Sequence, residues 1–543
     1  MTPRSAARVL AVVALLGGPG CALLDNEPEE SLLVCRTDAD CGANEVCFID
    51  GCGDPGTDIV VEVTPNPGLG EYAQDFPVDR LRAEQNLELF GEATVRGLTE
   101  RATGGVTPDG GVATRPYSET MFVRAVGTSA LIPGVARYHE ALVTPDNGEW
   151  KMPVAAGRYE VMLIPGDRDV PPTPKTGVVG PGQKLSLAWV LPAPASLVPV
   201  SGRVVRQGTT RVDANLSVQA LDAELRPLSQ RVPVAPATGD FSLQLSPEAA
   251  TVATVLLRVS ATDEGSLVPT KTFTVDPHAP PSTPLEMGNF GAPVRVSGRA
   301  VDADGSPVSQ ATVSLAGRVG GGGTFQSAVV VTGPDGRFEL DSLPSAADAP
   351  LTLVVMPPAG AAAGLTLDSA VVHATDTELP DVVCTTRRLV RGQLRQPDDT
   401  TPAAGVRLVA EPVAAVPGRP LPATQLTETV TDSAGGYVLR LDPAQYRVDV
   451  VPTENLPRVS RFVTVQPSDQ PEQEVAAFAL QRGRTLRGQV LSNLREPHLP
   501  QGLPYASVRF YRVVNVEGRP ASVLLSASVT DTLGRYTARL PVR

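Results

Sequence analysis

The chain has few of the residues on which enzyme chemistry most often depends. Its 543 residues include four histidines, and none of them begins a His-x-x-Glu pair or a His-Glu-x-x-His motif that would bind catalytic zinc. The Gly-x-Ser-x-Gly turn of a serine nucleophile is also missing. Because catalysis needs several polar groups that converge on one place, the sequence predicts a protein that is not an enzyme, with no catalytic residue, no metal site and no cofactor.

Aromatic residues, positive charge and long apolar runs are scarce as well. Aromatics make up 4% of the chain, and its two tryptophans, Trp150 and Trp189, fall in predicted strands, where core positions are the commoner placement. The formal net charge of −13 argues against nucleic acid as a partner, because an acidic surface repels phosphates. No stretch is long and apolar enough to cross a bilayer as a helix.

What the chain does have is an internal repeat. An apolar residue, then Arg or Ser, then Gly recur together, and Gly97, Gly202, Gly298, Gly392 and Gly488 are separated by 105, 96, 94 and 96 residues. A second pattern, Gly-x-aromatic, recurs in step with the first, at Trp150, Phe241, Phe338, Tyr437 and Tyr536. Two signals that share one period of about 95 residues predict an array of similar domains.

Each repeat has the pattern of short β-strands. Tyr446–Val450 alternates apolar and polar side chains, as half-buried strands do. Most Gly-x-aromatic pairs close a turn such as Pro334-Asp335-Gly336, in which the glycine supplies a positive φ. This spacing favours an all-β fold, a tandem array of small Ig-like β-sandwich domains, for which the family resemblance below implies the prealbumin-like form. The predicted boundaries are a lipoprotein-type signal peptide at 1–20, a tether with a cysteine-rich knot at 21–57, β-sandwich modules at 58–192, 193–290, 291–384 and 385–481, and a partial module at 482–543.

The same motifs resemble those of the carboxypeptidase regulatory-like family, which has a transthyretin- or prealbumin-like β-sandwich. The best-matching unit contains Val296-Ser-Gly-Arg-Ala-Val301, Ala311-Thr-Val-Ser-Leu315, Thr332-Gly-Pro-Asp-Gly-Arg-Phe338 and Leu353-Val-Val-Met-Pro357. The resemblance extends over residues 58–543. It implies a secreted or surface array of the bacterial type, often behind a lipoprotein leader and usually without an enzymatic site.

The two ends of the array each hold half of a repeat. The last repeat, from Gly488, lacks a counterpart of Tyr446–Pro452 and of the strand after it, whereas Val60–Pro65 and Leu87–Phe90 resemble those two elements. Either the structural unit is phased differently along the chain, or the gene stops early, or the two halves pair. The third alternative follows from the adhesive edge of an unpaired sheet, and such pairing would occur within one chain or between neighbouring molecules.

The N-terminus has the features of an export signal. A basic start precedes Val9–Leu16, an apolar run too short to span a membrane. The following Gly17-Gly-Pro-Gly-Cys21 resembles the lipobox of bacterial lipoproteins. The resemblance implies lipidation of Cys21 and, because Ala22 is not aspartate, an outer-membrane lipoprotein of the cell envelope on its periplasmic or surface face. Secretion is the alternative if Cys21 is not lipidated.

Four cysteines cluster in the predicted tether: Cys35, Cys41, Cys47 and Cys52. Outside the cytoplasm such a cluster predicts two disulfides, for which three connectivities are open. A zinc site of four thiolates is the alternative, although two of the three spacers are longer than is usual within a ligand pair. Cys384 is unpaired in an apolar strand if Cys21 carries lipid, and it could bridge Cys21 otherwise.

These features predict a non-enzymatic cell-envelope lipoprotein that acts as a multidomain structural stalk or as an adhesion protein. Its expected contacts are the membrane, through a lipid at Cys21, and a protein or polysaccharide ligand. An extended string of such modules would reach on the order of 150 Å. The alternative function is carbohydrate binding by the sandwich modules. Calcium binding by Asp302, Asp304 and Asp335 is a further alternative, although Asp-Gly turns account for these residues without a metal.

Overall fold

The computed structural model describes residues 46–48, 51–53, 59–66, 72–78, 83–91, 93–206, 215–263, 266–279, 281, 283–422, 425–453, 456–468, 470–492, 500–516 and 519–542. Within these residues the chain is all-β, with 42 strands and three short 3₁₀ turns at Pro194–Ser196, Ala249–Thr251 and Gly320–Gly322. This confirms the predicted fold class. None of the helices in the described part has the length and apolar character needed to cross a membrane.

The strands form ten sheets, which pair into five modules. The N-terminal part of the closing module has β1 (Val46–Phe48), β2 (Gly51–Gly53), β3 (Ile59–Thr64), β4 (Gln74–Pro77) and β5 (Leu87–Leu89). Module A has β6 (Ala93–Val106), β7 (Val112–Pro116), β8 (Met121–Thr128), β9 (Ala136–Val143), β10 (Glu149–Val154), β11 (Gly157–Pro165), β12 (Thr173–Val179) and β13 (Lys184–Leu191). Module B has β14 (Val198–Val205), β15 (Leu216–Leu221), β16 (Val232–Pro233), β17 (Asp240–Leu245), β18 (Val255–Ala261), β19 (Lys271–Val275) and β20 (Leu285–Glu286).

The other modules follow in chain order. Module C has β21 (Val294–Val301), β22 (Thr312–Arg318), β23 (Thr324–Gln326), β24 (Val330–Val331), β25 (Arg337–Ser342), β26 (Leu351–Met356), β27 (Thr366–Ala370), β28 (Thr377–Glu378) and β29 (Val382–Val383). Module D has β30 (Arg388–Arg395), β31 (Arg407–Ala414), β32 (Thr427–Val430), β33 (Gly436–Leu441), β34 (Ala444–Val451), β35 (Val459–Val465), β36 (Glu472–Glu474) and β37 (Phe478–Ala479). The C-terminal part of the closing module has β38 (Gly483–Ser492), β39 (Gln501–Gly502), β40 (Ser507–Val516), β41 (Arg519–Val529) and β42 (Arg535–Pro541).

Module D shows the strand order that the repeat encodes. One sheet has β30 at its centre, antiparallel to β33 and parallel to β36 and β37, and the other has the order β32-β31-β34-β35. The alternating pattern of β34 buries Tyr446, Val448 and Val450, which join the core of the module. Module A has its own core cluster, whereas modules B and C share one.

The closing module is built from both ends of the described chain. β3 pairs antiparallel with β40, so that Val61 lies opposite Phe510, and β5 pairs parallel with β38. In this way β3, β4 and β5 take the places that β34, β35 and β37 hold in module D. Val61, Leu89 and Phe510 are fully buried in one common core. The two half-repeats therefore pair, and they do so within a single chain.

This pairing changes the predicted boundaries at both ends. The sequence predicts one module over residues 58–192 and a partial module over 482–543. In the structure, β2 from the predicted tether and residues 59–89 belong to the sheets of the C-terminal strands, and module A begins at Ala93. The physical reason is that β38 and β40 would each be left with an unpaired edge, which β5 and β3 cover.

The two periodic sequence signals meet in one feature, a glycine opposite an aromatic ring. The cross-strand partners are Gly97 and Trp150, Gly202 and Phe241, Gly298 and Phe338, Gly392 and Tyr437, and Gly488 and Tyr536. A Cβ atom added at Gly298 would lie 2.6 Å from the Phe338 ring, and one added at Gly97 would lie 1.9 Å from Trp150. Each glycine therefore leaves the space into which the ring packs.

A second glycine fixes the turn before each aromatic residue. These five glycines, Gly148, Gly239, Gly336, Gly435 and Gly534, have φ between 74° and 82°. This is the left-handed region, which glycine adopts without strain. Each carbonyl accepts a hydrogen bond from the strand that contains the glycine opposite the aromatic ring, as when the Ala300 amide donates to Gly336 over 2.9 Å. The turn thereby sets the register of the glycine–aromatic pair.

Polar contacts join modules A, B and C in sequence. Gln230 of module B places its amide nitrogen 2.8 Å from the carbonyl oxygen of Val170 in module A. Thr270 of module B and Thr324 of module C exchange two backbone hydrogen bonds of 2.8 Å. Lys271 donates from its Nζ to the carbonyl of Gly321, which again joins B to C. These junctions are short and well paired, so neighbouring modules lie against each other.

Modules C, D and the closing module continue the series, which then returns to module A. Leu365 of module C donates its amide to the Asp442 carboxylate of module D over 2.8 Å. Arg458 of module D donates its amide to the carbonyl of Leu525 in the closing module over 2.8 Å. Arg137 of module A forms ion pairs with the closing module, described below. The module contacts therefore form a closed cycle, A to B to C to D to the closing module to A.

Candidate functional site

The junction between module A and the closing module is a buried charge cluster. Arg137 on β9 reaches Glu62 on β3 at 2.6 Å and Asp75 on β4 at 2.9 Å, and all three side chains are at least nine-tenths buried. Ser129 donates its hydroxyl to Asp75 and accepts the Ile132 amide at 2.9 Å. A buried charge is tolerated only when it is paired and hydrogen-bonded, as it is here. The cluster therefore holds the N-terminal strands against module A.

The electrostatics of this cluster are set mainly by burial. Burial raises the pKa of the Asp75 carboxyl above its ordinary value, although the positive charge of Arg137 acts in the opposite direction. Burial, together with Arg137, lowers the pKa of His139, two residues along β9. The Nε2 of His139 accepts the Ala155 amide at 3.0 Å, which requires a neutral imidazole. His139 thus has a structural partner.

The signal for this junction was present in the sequence. Glu62 is the single charged residue in the otherwise apolar run Ile59–Val63, and it has an apolar neighbour on either side in the sequence. Its partners lie 13 and 75 residues further along the chain, at Asp75 and Arg137. A charge inside an apolar strand points to a buried partner, but the sequence alone does not identify which one.

The two tryptophans are core residues of module A. Trp150 and Trp189 are 7% and 1% exposed, and their ring centroids lie 5.6 Å apart. Trp150 donates its indole N–H to the Thr99 hydroxyl at 3.0 Å. These rings are therefore not available as a platform for sugar rings.

The predicted lipidation and disulfide residues lie mostly outside the described residues. This holds for Cys21, Cys35 and Cys41, so lipidation and the knot stay predictions. Cys47 on β1 and Cys52 on β2 are cross-strand partners in an antiparallel pair, and β2 also pairs with β40 at Cys52. Among the described cysteines Cys384 is free and buried, as expected for an apolar strand.

The aspartates considered for calcium hold turns together. Asp302 accepts the backbone amides of Asp304 and Ser306 at 3.0 and 2.9 Å. Asp335 accepts the amide of Arg337 at 3.1 Å. In the part of the chain that the structure describes, no group of three or more His, Cys, Asp or Glu side chains is arranged to hold a metal ion.

Three modules meet at one cleft. Module A, module D and the closing module enclose about 610 Å³, with Pro133, Val416, Arg447, Phe462 and Arg519 among the lining residues. The guanidinium of Arg447 binds the carboxylates of Glu411 and Asp449, so its charge is already compensated. This cleft exists because the cycle of modules is closed.

Comparison with known proteins gives similar solved structures. No family model and no curated protein matches the chain. The solved structures include a streptococcal ancillary pilin, with 12% identity over 52% of this chain and 98% of that one and a TM-score of 0.19. They also include the Bacillus anthracis TIE protein (9% identity, 78% of this chain, 75% of that one, TM-score 0.17) and the minor pilin GBS52 of Streptococcus agalactiae (10%, 37%, 97%, 0.20). At such TM-scores the likenesses carry no argument about function.

Proposed function

We propose that this chain is a non-enzymatic protein of the bacterial cell envelope, a scaffold that is anchored at its N-terminus and presents module surfaces to a partner. The observation that carries the proposal is the closing module. The predicted tether enters the closing module through β2 and β3, and the same module holds the C-terminal strands. A lipid at Cys21 would therefore anchor the whole cycle of modules through one unit. The resemblance to carboxypeptidase regulatory-like arrays supports the same class of function.

The contacts of the buried polar residues also support a structural role. Arg137, Asp75 and Glu62 hold one junction, and Arg387 and Asp442 form an ion pair of 2.9 Å at another. These groups are committed to one another, and substrate chemistry would need groups that are free to react. These buried ion pairs thus hold neighbouring modules together.

The closed cycle favours a compact scaffold over a single-file stalk. Reaching on the order of 150 Å would require the modules to lie end to end. The carbohydrate-binding alternative loses its two aromatic candidates, because Trp150 and Trp189 are buried in module A. Replacing either tryptophan by alanine would destabilise the module by about 3–5 kcal/mol and would not report on a sugar site.

The anchor is tested by labelling cells that express the full chain with an alkynyl fatty acid and separating their membranes. We expect label on the wild-type chain and recovery in the outer-membrane fraction, because lipid on Cys21 would hold it there. The Cys21→Ser variant should carry no label and appear in the soluble fraction. Cys384→Ser is the matched control and should behave as wild type. An unlabelled wild-type chain in the soluble fraction would contradict lipidation of Cys21 and would favour secretion instead.

A further inference from the structure

The junction of modules C and D contains a cleft whose charge the fold does not explain. It encloses about 700 Å³, within the range of small-ligand sites. Module C, the linker between the modules and module D all contribute to its walls. Among its lining residues are Leu365, Leu367, Arg387, Arg388, Arg419 and Asp442.

Arg388 is a buried cation without an anionic partner. Its side chain donates to the carbonyl oxygens of Gln466 and Glu472 at 3.2 and 2.9 Å, and its Nε has no hydrogen-bond partner. The residue is 6% exposed. Carbonyl dipoles offset only part of the cost of burying a full charge, which a carboxylate would normally compensate.

Three other buried arginines of the described residues each have a carboxylate partner. Arg101 has one at 2.8 Å, Arg137 at 2.6 Å and Arg387 at 2.9 Å. Each of these pairs joins segments that are distant in sequence and is explained by the fold. Arg388 differs from them because two carbonyl oxygens are its partners. Its uncompensated charge therefore needs another explanation.

The rim of the cleft adds a second positive charge. Arg419 is exposed, whereas Asp442 is the acidic residue among the described lining and is bound to Arg387 and to the Leu365 amide. The described lining thus has an excess of two positive charges, in a chain whose formal net charge is −13. Such a local reversal of sign concentrates anions at the cleft.

We propose that this cleft binds an oxyanion group, either the carboxylate of an acidic sugar or a phosphate ester. The fork of the Arg419 guanidinium matches both groups, and Arg388 adds a second positive charge to the lining of the cleft. Leu365 and Leu367 offer apolar contact to the carbon skeleton of the ligand. The inference adds a ligand class to the proposed scaffold and does not depend on the lipid anchor.

The test is calorimetric titration of the purified full-length protein with inorganic phosphate and, separately, with a tetramer of galacturonate. We expect one of the two to bind at low salt, with an affinity that falls as ionic strength rises. Binding of phosphate alone supports a phosphate ester as the natural ligand, and binding of the tetramer alone supports an acidic sugar.

Two variants test whether the anion binds in this cleft. Arg419→Gln should weaken binding at least about tenfold, the loss expected for one charge-assisted hydrogen-bond pair. Because Arg419 is exposed, this variant should unfold as wild type does. Arg168→Gln removes an exposed arginine from module A and is the matched control. The proposal is overturned if neither probe binds, or if both variants bind as wild type does. Neither result would bear on the fatty-acid labelling of Cys21.

Discussion

At Gly97 one missing Cβ determines how two strands of module A meet. The sequence shows the glycine and the aromatic residue as separate periodic signals, and it places each in a strand. It does not show that Gly97 and Trp150 are cross-strand partners, because register depends on the turn and on the buried face together. The sequence therefore predicts the glycine and the aromatic residue, and the structure shows that they are cross-strand partners.

Replacing Gly97 by alanine should destabilise module A by about 1–3 kcal/mol, because the added Cβ would overlap the indole ring of Trp150. Both tryptophans of the chain lie in this module, so tryptophan fluorescence during urea unfolding reports on it alone. Leu98→Ala, one residue along and on the exposed face, is the control and should change stability by about 0.5 kcal/mol or less. Equal effects of the two substitutions would contradict the packing role of the glycine.

His139 should make module A less stable in acid. Its pKa is lowered in the folded state, so its contribution is complete above the ordinary value of 6.5 and is lost as pH falls through the folded value. Protonation would also break the hydrogen bond from the Ala155 amide. The urea midpoint by tryptophan fluorescence should fall between neutral pH and about pH 5. His139→Gln retains an acceptor without a titrating group, so a fall as steep as that of wild type would refute the assignment.

At the scale of the strand, Ile59–Thr64 was predictable as a strand but not as part of the last module. Its resemblance to Tyr446–Pro452 identifies its place within a repeat. Which strand it pairs with depends on a contact across more than 400 residues, as in the hydrogen bond from Tyr511 to Glu62, separated by 449 positions. Local patterns contain no information about such a partner, and the sequence accordingly leaves open whether the pairing is within or between chains.

The pairing of β3 with β40 predicts a specific cross-link. Thr64 and Ser507 are cross-strand partners near the surface, so the Thr64→Cys, Ser507→Cys double variant should form a disulfide under mild oxidation. Non-reducing electrophoresis should show monomers with altered mobility, and mass spectrometry should find the linked peptides.

Thr64→Cys with Ser306→Cys is the control for this cross-link, because Ser306 lies exposed in module C. This pair should give no link within a chain. Disulfide-linked dimers of the Thr64, Ser507 variant would instead mean that the N-terminal strands of one molecule complete the closing module of another.

For the whole molecule, the number of modules follows from the period of the sequence, whereas their closed order does not. The junctions depend on single long-range contacts such as Gln230 to Val170 and Arg458 to Leu525. These residues are ordinary polar positions on loops and strand ends, with no pattern to mark them. The closed order of the modules therefore depends on tertiary contacts, which the sequence repeat does not predict.

Opening the closing module should convert the compact chain into an extended one. Val61→Asp with Leu89→Asp places two charges in the common core, so β3 and β5 should no longer dock on β40 and β38. Small-angle scattering should then show a larger radius of gyration than wild type. Val331→Asp, at an exposed position of module C, is the control. A profile that matches wild type would show that the closing strands do not determine the shape.

The make-up of the closing module also constrains how the protein matures. Ribosomes deliver Ile59–Thr64 early, and its partner strand Ser507–Val516 arrives only near the end of synthesis. During that interval an apolar strand with a free edge lacks its partner, which favours aggregation. Chaperones that shield such strands should therefore matter more for this chain than for an array in which every module is contiguous in sequence.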